Sequence, residues 1–290
     1  MLPDGAVDRL LDSAQTIAKV CRSSGVKQWD LIGFQSYGHQ LDIEAGKISM
    51  AAGGGDGGFG VRVVDDGRFG FAHLVDASAA EKAVQQAVAI AKKSPSVSGF
   101  VLPSEQPAED VSGRMDKHIL DIGPEDLLEQ ADTVLSHVRS TDERAVVTGG
   151  GVGVSATASC LMNSEGILSS GITTSHGIGV QVSIDVDGQL TSSWQGQSSR
   201  SLLPAVPECV SRAVHWAQVT QNPLNVESSA VETPVLLTSE GFSPLFSMVV
   251  PPAMTGEKMV RKESFWSESM GKEVLNPSLS LHDDGLLNGG

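Results

Sequence analysis

The sequence is poor in positive charge: 20 Lys and Arg stand against 35 Asp and Glu, a formal net charge of −15. Affinity for nucleic acid comes largely from Lys and Arg neutralising phosphates, so direct nucleic-acid binding is not expected. The same imbalance disfavours an anionic membrane surface. No apolar run approaches the ~20 residues needed to span a bilayer. The N-terminal segment MLPDGAVDRLLDSAQ has acids where a signal peptide has a basic start and an apolar stretch, so the expected location is cytoplasmic. Cysteine is scarce too. Cys21, Cys160 and Cys209 are too few and too scattered for a disulfide framework and read as small buried hydrophobes.

Histidines are sparse and dispersed. The closest two, His118 and His137, are 19 residues apart, and no H-E-x-x-H is present. No helix here presents two imidazoles to one zinc. His282-Asp283-Asp284 reads as a solvated turn in preference to a cation site. Aromatics are few as well, with 8 Phe, 4 Trp and 1 Tyr. Glycine is in excess at 32 of 290 residues, against an average near 7%. With 40% hydrophobic residues the chain buries real cores, and its length corresponds to about two domains.

Two glycine runs resemble phosphate loops and fail on context. Gly53, Gly55 and Gly58 satisfy G-x-G-x-x-G, but the strand-like FGVRVV follows where a dinucleotide fingerprint needs a helix. Gly151 to Ala156 follows the strand-like AVVTGG, yet no acid lies about twenty residues later to hold a ribose hydroxyl. An NAD(P)-dependent oxidoreductase is therefore only a third reading. No Gly-Lys-Ser/Thr loop and no G-x-S-x-G elbow occurs.

Periodicity gives the elements. Val7, Leu10, Leu11, Ala14, Ile17, Ala18 and Cys21 form one helical stripe, ended by Gly25. Trp29 to Phe34 and the alternating Leu41, Ile43 and Ala45 read as strand. Phe59–Val64 and Phe69–Val75 read as paired strands about the turn Asp65, Asp66, Gly67 and Arg68. Ala80 to Ala91 is a second helix, and Ser94 to Asp116 a long surface connection. A third helix starts at Pro124, strands fill Val146 to Trp194 with a hairpin turning at Asp187-Gly188, and Val206 to Ala217 is one more helix. Helix–sheet–helix thus occurs twice, a weak architectural repeat.

Pro223 to Thr233 is read as a domain boundary, dividing 1–222 from 223–290. Beyond it, Val235 to Leu237 is expected to start a strand and Ser243-Pro244 a helix. The fold class is α+β, with antiparallel glycine-rich sheets packed with helices in the first domain and the start of a second, mainly β domain.

In that order of elements, GGGDGGFGVRVVDDGRFGFAH resembles the hairpin of the TldD/PmbA family, with its G-x-R-V strand, turn and G-x-A strand. MNSEG (162–166) resembles that family's Asn-Ser-x-Gly turn, and Met254 to Gly285 the start of its C-terminal domain. The resemblance implies a two-subunit peptidase, also known as a modulator of DNA gyrase. Its TldD-like subunit carries H-E-x-x-x-H and a later cysteine on zinc. In the matching segment SPLFSMVVPPAMTG the three positions hold Ser247, Met248 and Pro252, and Pro251-Pro252 is expected to break the helix.

The resemblance therefore implies a TldE/PmbA-like, metal-free, non-catalytic subunit, cut short within the second domain. No catalytic, metal or cofactor residue is expected on this chain, and zinc is expected on a TldD-like partner. Unstructured peptides are the implied substrates, and Arg62 is the candidate for lining the peptide chamber. The alternative is a regulatory or binding module without a peptidase partner.

Overall fold

The computed structural model describes residues 2–104, 111–224 and 232–289. Parts of the 94–116 connection and of the 223–233 boundary fall outside them. Two compact units result, Met1–Pro223 with Leu286–Gly290, and Leu224–Gly285.

The first unit holds α1 (Ala6–Ser23), β1 (Gln28–Glu44), β2 (Lys47–Asp65), β3 (Arg68–Leu74) and α2 (Ala80–Ala91). It continues with α3 (Lys117–Asp121), α4 (Pro124–Thr141), β4 (Ala145–Asn163), β5 (Leu168–Val186), β6 (Gln189–Ser199) and α5 (Glu208–Val219). All six strands form one antiparallel sheet in the order β3-β2-β1-β4-β5-β6. The repeat in the sequence is thus a repeat of topology. Each half is helix, three strands, helix, and the halves meet where β1 pairs with β4 from Asp30↔Asn163 to Glu44↔Gly149.

The turns form where the sequence places them. Asp66 and Gly67 (φ 51° and 70°) and Asp187 and Gly188 (φ 52° and 82°) both take the left-handed conformation a two-residue hairpin needs. Ala45 and Gly46 do the same between β1 and β2, so Ala45 belongs to a turn and not to the strand. Gly25 (φ 74°) follows α1 as its stripe predicts.

Strand alternation puts the apolar residues on one face, and the helices cover it in two clusters. Leu10, Ala14 and Ile17 of α1 and Ala83, Val84 and Ala87 of α2 pack on Trp29, Leu31, Val61 and Val63. At the other end, Leu127 and Val134 of α4 and Val210 and Val214 of α5 pack on Leu41, Ile43, Val152, Val180 and Val182. Each buried Leu, Ile or Val among these contributes about 1.5–3 kcal/mol, and each alanine less. All three cysteines are buried here, and desolvation raises their thiols, Cys21 to about 11.

The glycine run 53–58 lies inside β2 and does not precede a strand. Aromatic rings stand in for the side chains that glycine lacks. Phe59, Tyr37 and Trp194 lie over Gly33, Gly55 and Gly179, where a Cβ would come within 2.5, 2.6 and 2.7 Å of ring carbons.

The second unit is helical in its described residues, with α6 (Ser239–Met254) and α7 (Gly256–Val260) and no strand. Three expectations are corrected here. Val235 to Leu237 is irregular and exposed, and among the described residues no strand pairs its backbone. α6 begins not at Ser243 but five residues earlier, where the Thr238 hydroxyl accepts from the Gly241 N–H at 3.3 Å. Pro244 therefore lies inside the helix. The helix also runs through Pro251-Pro252 to Met254. The two prolines cost only the bonds to Ser247 and Met248 carbonyls, and the helix stops within two residues of them.

Candidate functional site

Beyond the connection that brings Phe100 over Arg62 and Pro103 onto Asn163, no described helix or strand of the first unit covers the face of the sheet opposite the helices. In register across it lie Gly38 opposite Gly54, Gly153 opposite Gly177, and Gly179 opposite Gly196. Around them Ser36, Thr157 and Thr173 form a hydroxyl row over β1, β4 and β5, with Thr157 Oγ1 donating to Ser36 Oγ at 2.8 Å. Because these positions carry almost no side-chain bulk, the face is hollowed into a trough of about 1080 Å³. Asp42 and Asp56 supply its carboxylates, Gln40 donates to Asp42 at 2.6 Å, and Trp194 forms its aromatic wall.

Glycine at these positions brings the ladder-paired backbone close to the surface. Ser36 is bonded to a threonine, and His39 has its ring over Gly53.

The structure places Arg62 elsewhere. It stands opposite Asp30 on β1, with its Nε donating to Oδ1 at 3.0 Å and its Nη2 to Oδ2. The guanidinium also lies 5.3 Å from the Phe100 ring centroid and 6.0 Å from that of Phe69. Ion pair and stacking together occupy it, and it does not line the trough.

The MNSEG turn is also a fastening. Asn163 is buried, donates to the Pro103 carbonyl at 2.8 Å and accepts from Glu165 N–H at 3.0 Å and Ile167 N–H at 2.9 Å. Ser164 N–H donates to the Trp29 carbonyl at 2.9 Å, tying the β4–β5 turn to the start of β1. The two glycine runs lie within β2 and β4, and neither leads into a helix N-terminus.

Ser247, Met248 and Pro252 all lie on α6. A hydroxyl, a thioether and a proline offer none of the imidazole, thiolate or carboxylate donors zinc takes, so the segment does not fit the metal. Among the described residues no three His, Cys, Asp or Glu side chains come together as a ligand set. No described helix is long and apolar enough to cross a membrane.

Sequence reasoning did not find the trough. Its signal was available in Gly, Ser or Thr at every second position of 153–159 and 169–177, which spaces small residues along one face of β4 and β5.

Fold and sequence together define the class: the chain is a TldD/PmbA/TldE-like protein. The family model PmbA/TldA metallopeptidase domain 1 matches residues 29–91, and the PmbA/TldA metallopeptidase C-terminal domain matches 230–290. Among relatives, it is 25% identical over 261 residues to an uncharacterized protein of Methanocaldococcus jannaschii, covering 89% of this chain and 59% of that one. It is 24% identical over 281 residues to the metalloprotease PmbA of Escherichia coli O157:H7, covering 95% and 62%. The crystal structure of TldE from Thermococcus kodakarensis superposes with a TM-score of 0.76 at 22% identity, covering 87% and 58%. The chain thus spans 59% and 62% of the two sequence relatives.

Proposed function

We propose that this chain acts as the TldE/PmbA-like, non-catalytic subunit of a two-subunit zinc metallopeptidase that processes unstructured peptides. The observation that carries this reading is α6. The segment that resembles the family's zinc-binding helix is helical here, yet carries Ser247, Met248 and Pro252 at the three motif positions. Zinc and the water it activates belong, on this reading, to a TldD-like partner. The glycine and hydroxyl trough supports a part in aligning extended substrate. Its small side chains leave room for the varied side chains of an unstructured peptide.

The test is to mix the purified chain with a subunit that carries H-E-x-x-x-H and to follow hydrolysis of a denatured protein. A stable complex with chelator-sensitive hydrolysis is expected. Absence of any complex would favour the regulatory module without a peptidase partner.

A further inference from the structure

β2 is 19 residues long, but β3 pairs only with Phe59–Asp65. Among the described residues no strand lies along the outer side of 47–58. In the matching stretch of β5 in the other half Thr174 is already engaged, its N–H donating to the Arg114 carbonyl at 3.1 Å and its hydroxyl to the Arg200 carbonyl at 2.7 Å. A long bare edge offers unpaired N–H and C=O groups to any extended chain, and folded proteins usually blunt it with prolines or inward charges. The edge KISMAAGGGDGG has no proline and only one charge near each end.

We infer that this edge pairs antiparallel with the same edge of a second copy of the chain, about a two-fold axis at Ala52. Residues opposite each other on antiparallel strands must share a face of the sheet. Pairing with β1 fixes those faces. Met50, Ala52, Gly54 and Asp56 stand opposite Asp42, Gln40, Gly38 and Ser36, on the open face. Ala51, Gly53 and Gly55 stand opposite Leu41, His39 and Tyr37, on the helix face.

Asp42 pairs with Met50 and Ile43 with Ile48, so Ser49 is the extra residue of a bulge. Beyond it, Ile48 returns to the helix face and Lys47 to the open face. Centred on Ala52, the two edges set Ala51 opposite Gly53, Met50 opposite Gly54, Ile48 opposite Gly55 and Lys47 opposite Asp56. Every face matches. Each large side chain meets a glycine, and each cation meets an anion, twice over by symmetry. Moving the centre by one residue either way puts Lys47 opposite a glycine and loses both ion pairs. A seam of one strand pair is small, so the association is weak and depends on concentration.

Sedimentation velocity over a concentration series tests this. The unmodified chain is expected to pass from monomer to dimer. Lys47→Glu sets glutamate against Asp56 at both ends and should weaken the dimer by about tenfold or more. Adding Asp56→Lys to it should bring the affinity back to within about threefold of the original. Gly54→Val should abolish the dimer through Met50 of the second copy while the chain still melts cooperatively as a monomer, since a Cβ on Gly54 meets nothing within 4 Å in its own chain. A monomer at every concentration overturns the proposal. So does a dimer indifferent to all three variants, or a monomer whose edge takes up an added unstructured peptide.

Discussion

A Cβ on Gly70 would sit 1.7 Å from the carbonyl oxygen of Ala87, because β3 carries α2 in direct contact with its backbone. No rotamer relieves that clash, so strand and helix must part. Gly70→Ala is expected to destabilise the fold by about 1–3 kcal/mol or more in urea denaturation. Gly54→Ala, in open space on the trough face, is the matched control and is expected to be neutral or up to about 1 kcal/mol stabilising. Equal effects of the two would show that the close approach of α2 does not set the requirement for glycine.

His176 gives a second test. It is buried, accepts from the Leu203 N–H at Nδ1 (3.0 Å), and therefore carries its proton on Nε2, donating to Gln130 at 2.9 Å. Burial lowers its pKa below the ordinary histidine value. The unfolded chain then binds the extra proton first as pH falls, so stability is full above about pH 6.5 and declines below it, by at most about 1.4 kcal/mol per pH unit. Chemical denaturation between pH 8 and 5 should show this slope, and His176→Gln should remove it.

Among the elements, those set by local chemistry were the legible ones. The stripe of Leu10, Ala14 and Ile17 specifies α1, and the pairs Asp66-Gly67 and Asp187-Gly188 specify their hairpins, because period and positive φ are properties of neighbouring residues. Elements settled by distant partners were not. Gly53 to Gly58 has no strand signal of its own and becomes strand because Tyr37 and His39 of β1 cover Gly55 and Gly53. Val235 to Leu237 has the signal and, among the described residues, no strand to join. In α6 two adjacent prolines are tolerated because they fall in the last turn, where few bonds remain to be lost.

The same distinction explains the site. Arg62 stood out as a charge in a motif, and the reason for its type is Asp30, 32 positions away in sequence, together with the Phe100 ring. The trough, made of residues with little chemistry of their own, becomes visible only when five strands are laid side by side.

At the level of the whole molecule, both halves of the sheet bury one face under helices and leave most of the other with no described element over it. An uncovered face of glycine and hydroxyls and a bare β2 edge suit a protein that works by contact with other chains. The central claim is that this chain brings no metal to the reaction. Its most direct test is elemental analysis of the purified chain after incubation with zinc and desalting, alongside hydrolysis of a denatured protein by the same sample. The account predicts no retained stoichiometric zinc and no hydrolysis. One zinc per chain with chelator-sensitive hydrolysis by the chain alone would contradict it.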